Sequence, residues 1–378
     1  MRRMSYIDGL RAIAVLCVVA THVGLSGRQG GNWLLDQGGH GVELFFVISG
    51  FCLSHPFLAR LHASGSAAFD VARFAARRIV RIIPPYYAAI VLFAVFGAAL
   101  RYAGAPQPFS MPEQPSAGVD LLKQALFLDK GVTFVNASFW TLPIEFRWYL
   151  AFPIVLWLWT RSRRAFFLVA VTSTAAYLTN VASPDLFVLP AFMLGIVAAD
   201  VHLRGHRFSR FALPLFPIVA LAAALTAQNR LSATWQIAAF LLVVAGGENV
   251  LLNRVLSNRW LAVVGGASYS IYLVHEPLIA FMIAHGVFAP LAGIAGVGLG
   301  FAFWSLAERP FVQPALRERL TAEFYRFLPR WCRIAGIEPV WVLTQPTPPP
   351  IARLAATKSS QSIGSDAAIT VESTLVSP

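Results

Sequence analysis

Apolar windows close to membrane-spanning length follow one another from residue 8 to residue 308, separated by polar breaks of a few residues to a few tens. A helix needs about 20 apolar residues to cross the hydrocarbon core of a bilayer. Backbone groups in lipid must find partners within a helix or a closed barrel. These windows are too long for barrel strands and lack their two-residue alternation. The pattern therefore predicts an all-α polytopic bundle of about ten spans. They run over residues 8–26, 42–59, 80–100, 138–159, 165–181, 185–201, 211–227, 233–252, 260–284 and 287–307. Composition agrees: 57% of the 378 residues are hydrophobic and 13% are charged, about half the charged share of a soluble domain.

Arginine placement orients the bundle. One alternating set of breaks holds Arg2 and Arg3; Arg60, Arg73, Arg77 and Arg78; Arg161, Arg163 and Arg164; Arg204, Arg207 and Arg210; and Arg254 and Arg259. The other set holds only Arg28, Arg101, Lys123, Lys130 and Arg230. Cytoplasmic loops carry such an excess, so both termini are predicted inside. The same bias accounts for the net charge of +12. Nucleic acid is excluded as a partner, since no soluble basic domain exists to carry it. The three cysteines show no disulfide or metal-ligand spacing. The first window follows Met1-Arg2-Arg3, but Asp8 and Arg11 interrupt it and no clear cleavage site follows, which predicts a retained span. Three regions are expected: a membrane domain over 1–310, a basic segment on the inner membrane surface over 311–343, and a disordered Pro/Ser/Thr-rich tail over 344–378. Residues 101–137 form the longest external loop and would help cover an external site.

Ionisable residues inside spans are costly and mark function. In the first span Asp8 and Arg11 are spaced to pair on one helix face. Arg11 and His22 lie eleven residues apart, about 16 Å along the axis and close to one face. Span direction puts Glu43, Glu145, Arg147, His275 and Glu276 toward the outer side with His22, a set able to supply a general base and the carboxylate that orients it. Structural pairing of Glu145 and Arg147 with other spans, and a helix kink at Glu276-Pro277, are the plainer readings. Arg78 and Arg81, one turn apart at an inner helix end, could grip a phosphate-bearing ligand or serve only topology. Proton-coupled transporters use similar buried layers.

Six segments, in order, carry a family resemblance. They are Tyr6-Ile7-Asp8-Gly9-Leu10-Arg11 ending at His22; Gly39-His40-Gly41-Val42-Glu43 through Ser49-Gly50-Phe51; Arg78-Ile79-Val80-Arg81; Phe139-Trp140-Thr141-Leu142-Pro143-Ile144-Glu145 continuing to Tyr149; Ser268-Tyr269-Ser270-Ile271-Tyr272-Leu273-Val274-His275; and Glu308-Arg309-Pro310. The chain resembles the integral-membrane acyltransferase-3 family, which includes bacterial O-acetyltransferases of surface polysaccharides. Two departures stand out: Glu43 where the family usually has Asp, and Phe146 and Arg147 where it has a second acid and an uncharged residue.

The resemblance implies a multi-pass enzyme of the bacterial inner membrane. It would move an acyl group, by family frequency acetyl, from cytosolic acyl-coenzyme A to a hydroxyl of a carbohydrate or glycolipid. A lipid or small metabolite is the alternative acceptor. His22, Glu145, Arg11 and Asp8 are the expected catalytic set. Arg78, Arg81, Glu43, Trp140, Tyr149 and His275 are expected to bind substrates. No metal and no permanently bound cofactor are expected.

Overall fold

The computed structural model describes residues 4–26, 33–105, 118–128, 136–179, 183–205, 209–226, 232–334 and 336–344. The expected disordered tail beyond residue 344, most of the long external loop, and Arg2, Arg3, Arg28, Lys130, Arg207 and Arg230 lie outside the described residues.

The described chain is almost wholly helical. Its main helices are α1 (Ser5–Ser26), α2 (Gly41–Ser64), α3 (Val71–Tyr102), α4 (Thr141–Arg161), α5 (Arg163–Leu178) and α6 (Pro184–Arg204). After them come α7 (Ser209–Thr226), α8 (Ala233–Glu248), α9 (Val250–Leu256), α10 (Arg259–Gly266), α11 (Ser268–Ala284), α12 (Ala289–Phe303) and α13 (Pro314–Ile334). Five segments are long and apolar enough to cross a membrane alone: Ser5–Ser26, Gln37–Ser64, Val71–Tyr102, Pro184–Arg204 and Ala289–Val312. Two more qualify if bent pairs are joined, α8 with α9 across 100° and α10 with α11 across 69°. The protein is thus a multi-pass membrane protein, with five to seven spans by length and composition among the described residues. Among the expected spans, α4 carries Glu145 and Arg147 and α5 has only 16 residues.

Local chemistry explains the breaks. Asn249 leaves the helix of α8 and caps α9, accepting from the Leu252 amide at 2.9 Å. Helix α3 begins at Val71, capped by Asp70 through the Arg73 amide at 2.8 Å, and runs through Pro84 and Pro85. Arg73, Arg77, Arg78 and Arg81 therefore share one continuous helix.

The all-helical expectation needs one correction. Strand β1 (Ser66–Asp70), between α2 and α3, pairs antiparallel with β2 (Val340–Thr344), in register from Ser66 opposite Thr344 to Asp70 opposite Val340. Val340-Trp341-Val342-Leu343-Thr344 is a β-branched and aromatic run that suits a strand. Thr344, expected to open the tail, is its last residue.

Two glycine contacts set the bundle around the site. A Cβ on Gly50 would lie 2.0 Å from the Phe192 carbonyl oxygen, and one on Gly195 would lie 2.1 Å from that of Val47. The α2–α6 crossing therefore depends on glycine at both positions, as close helix contacts in membranes do. At the α10–α11 bend, a Cβ on Gly265 would lie 1.8 Å from the Asp8 carbonyl oxygen, so the start of α1 sits directly against the bend. Gly50→Val should destabilise the protein by about 1–3 kcal/mol through overpacking, seen as a lowered melting temperature in detergent. An unchanged melting temperature would mean that the helices separate at no cost.

Candidate active site

Five helices, α1, α2, α3, α4 and α11, enclose a cavity of about 250 Å³. Arg11, Arg78, Arg81, Glu145 and Tyr149 all line it. Its polar wall thus presents three guanidiniums against one carboxylate. Arg11 is held by Asp8 at 3.1 Å, the pair that their spacing predicts, and donates to Cys52 Sγ at 3.4 Å. Asp8 is buried beneath it. The Arg78 guanidinium carbon lies 5.9 Å from the Phe74 ring and 5.9 Å from the Tyr149 ring, distances suited to cation–π contact. Glu145 accepts from the Tyr149 hydroxyl and, at 3.2 Å, from Ser49 Oγ.

A second cluster lies on α1, α11 and the turn before α4. His275 Nε2 is 3.0 Å from His22 Nδ1, and the two rings meet edge-on at 4.9 Å. His22 Nε2 lies 3.7 Å from Glu276 Oε1. Ser138 Oγ donates to the other oxygen of that carboxylate. Asn136 sets this serine in place: its side-chain oxygen accepts from the Ser138 amide at 2.9 Å, while its Nδ2 donates to the Leu273 carbonyl at 2.9 Å. His275 is fully buried, whereas the His22 side chain retains 21% of its exposure. His22 is therefore the accessible member of the pair.

Tyr272 touches both clusters. It lines the cavity, its hydroxyl lies 2.7 Å from Thr141 Oγ1, and its ring centroid lies 6.1 Å from that of His275.

The residues expected at one outer depth divide three ways. His22, His275 and Glu276 come together. Glu145 faces the arginines instead. The turn Ala137–Trp140 packs against α11 and brings Ser138 to the histidines, and Glu145 follows seven residues later, roughly 10 Å further along. Glu43 does not line the cavity: its Oε1 is bonded to His40 Nδ1 at 2.9 Å and to the Ser232 amide at 2.9 Å, tying the start of α2 to α8. Trp140 is half-buried at the end of its turn and lies outside the cavity lining. Arg147 points elsewhere, donating to Asp185 at 2.6 Å and to the Phe127 carbonyl at 3.0 Å. Glu308, from the last motif, is buried in a π-turn and accepts from Ser270 at 2.6 Å, beside cavity-lining Tyr269.

This geometry meets an independent finding. Residues 4–309 match the family model described as an acyltransferase domain. The chain belongs to that family. Every motif residue named above except Pro310 falls within the match. The chain is similar to the O-acetyltransferase OatA of Staphylococcus aureus, with 24% identity over 322 residues, 74% of this chain and 51% of that protein. It is also similar to the peptidoglycan O-acetyltransferase OatA of Listeria monocytogenes, with 28% identity over 159 residues, 40% of this chain and 24% of that protein. The chain thus spans about a quarter to a half of the length of these relatives. No solved structure matches it.

Ser49, Cys52, Ser138, Tyr269 and Tyr272 are site residues that sequence reasoning passed over. Ser49, Tyr269 and Tyr272 lie within the motifs but carry no charge to single them out. Ser138 had only one signal, an Asn two residues earlier able to cap a turn.

Proposed function

We propose that the protein is a membrane-embedded O-acyltransferase that moves an acetyl group from cytosolic acetyl-coenzyme A to a hydroxyl of a cell-surface carbohydrate. The observation that carries this reading is a three-arginine cavity linked through Tyr272 to a partly exposed His–His–Glu cluster. Arg78 and Arg81 would take donor phosphates, since guanidinium groups bind phosphate with charge and a forked donor set. A cavity of about 250 Å³ falls just below the usual range of ligand pockets. It suits the pantetheine and thioester end of the donor rather than the whole nucleotide.

His22 would act as general base at the outer end of α1. The acceptor oxygen attacks the thioester carbonyl as its proton passes to His22. The carbon–sulfur bond then breaks, and the departing thiolate takes that proton. Glu145, beside the arginines, would orient the donor end, with Asp8 holding Arg11 in the wall. The words O-acetyltransferase and peptidoglycan in the relatives' names support the acetyl group and a carbohydrate acceptor.

Placement in the bacterial inner membrane, from the family resemblance, about ten crossings, from the apolar windows, and both termini inside, from the arginine bias, belong to the same proposal. So does an in-plane lipid contact by α13. Phe324, Phe327, Trp331 and Ile334 are exposed and repeat every three or four residues on one face, Arg319, Arg326, Arg330 and Arg333 form another, and buried Thr321 lies on a third. That third face is fastened by a hydrogen bond from the Tyr325 hydroxyl to Asp70 at 3.0 Å. A spin label at Phe327 should be quenched by oxygen more than by aqueous nickel complexes in bilayers; the reverse order would place α13 in water.

The function itself is tested with the purified chain in lipid nanodiscs, labelled acetyl-coenzyme A and soluble glycan acceptors. The expected result is label on glycan, together with loss of an acetyl mass from surface glycans of cells lacking the gene. Label recovered only as unreacted donor, with no glycan mass lost, would overturn the proposal.

A further inference from the structure

The hydrogen bonds around the two histidines determine where their protons sit. His275 Nδ1 lies 2.9 Å from the Ile271 carbonyl oxygen and 3.0 Å from that of Tyr272. Carbonyl oxygens only accept, so this nitrogen carries hydrogen. His22 Nδ1 lies 3.0 Å from the Val18 carbonyl oxygen, which imposes the same condition on the second ring. The two rings also meet, His22 Nδ1 to His275 Nε2, at 3.0 Å. One of these nitrogens must accept. His22 Nδ1 already donates to a carbonyl, so the acceptor is His275 Nε2, and His275 is the neutral ring protonated at Nδ1. A neutral imidazole has one N–H, which leaves the lone pair of His22 on Nε2.

That nitrogen makes no hydrogen bond among the described residues. It faces Glu276 Oε1 across 3.7 Å, too far for a hydrogen bond. The Glu276 carboxylate is itself held by Ser138 and thus by Asn136. The Val18 carbonyl alone would leave the His22 ring free to swing about its last torsion. A second acceptor on α11 fixes its plane.

We propose that His275 is a positioning residue: by accepting the Nδ1 proton of His22 it makes Nε2 of His22 the nitrogen that receives the acceptor hydroxyl's proton, beside Glu276. This rests on the acyltransferase reading for its chemistry, though not for its geometry. It also puts Glu276, rather than Glu145, beside the histidine base.

Solid-state NMR of protein labelled with ring-15N histidine in bilayers tests the geometry, with His22 signals assigned by their loss in His22→Asn. The expected spectrum shows His22 protonated at Nδ1 and bare at Nε2. A bare Nδ1 would overturn the proposal. Activity gives the second arm. His275→Leu, which cannot accept, should lower kcat by about tenfold or more with the acetyl-coenzyme A KM within about threefold. His275→Gln, whose side-chain oxygen reaches a similar place, should restore most of that loss. Equal rates in the Leu and Gln variants would show that His275 only fills space. The NMR arm needs no turnover, so failure of the acyltransferase reading is seen separately, as an absence of labelled product from the unaltered protein.

Discussion

Replacing His22 by asparagine lowers the acyl-transfer rate by about 10²–10⁴-fold, the range expected for loss of a general base. Asparagine is the informative choice. Its side-chain amide can still donate to the Val18 carbonyl, so the α1 backbone and the contact with α11 persist, while the atom corresponding to Nε2 is gone. His22 does not line the arginine cavity, so donor affinity should stay within about threefold while turnover collapses. Single-turnover transfer from labelled acetyl-coenzyme A and titration of coenzyme A into the same nanodiscs separate the two quantities. A variant that transfers at a near-normal rate would remove His22 from the chemistry.

The second large effect lies in the cavity. Arg81→Ala should weaken coenzyme A binding by about 10–100-fold, corresponding to about 1.5–3 kcal/mol for a charge-assisted hydrogen bond. Arg78→Ala should weaken it by a similar factor, with a further contribution because its guanidinium packs between Phe74 and Tyr149. Arg81→Lys keeps the charge but loses the fork, and should fall between alanine and the unaltered protein. Binding in each should weaken further as salt is added, since the interaction is electrostatic. Acceptor KM should stay unchanged. Calorimetric titration with coenzyme A reads the first expectation and steady-state kinetics the second. Unchanged coenzyme A affinity in both alanine variants would show that phosphate binds elsewhere and that these arginines serve orientation in the membrane alone.

Most parts of the site that were legible beforehand lie on a single helix; the meeting of His22 with His275 and Glu276, expected from span direction, is the exception. Asp8 and Arg11 pair as their three-residue spacing requires, and His22 sits farther up the same unbroken helix, because helix geometry is periodic and known in advance. Arg78 and Arg81 reach one cavity for the same reason. Depth estimates across different helices were less secure. Glu145 and Glu43 were both expected near the histidines, yet the first faces the arginines and the second is held by His40 and Ser232. Span direction fixes a residue's approximate height and says nothing about which neighbour its helix face meets.

The chain's own pattern of apolar windows and arginines was enough to determine a multi-pass helical membrane protein, since lipid leaves the backbone so few alternatives. Its ordered motifs were enough to place it in an acyltransferase family. Packing alone decided that Ser138 closes on Glu276 beside the histidine pair, that α10 and α11 bend at Gly265-Gly266-Ala267 with Asp8 against the bend, and that a distant C-terminal strand pairs with β1. Those outcomes depend on rotations of helices about their axes and on pairings between segments at least 270 positions apart. No local periodicity encodes either.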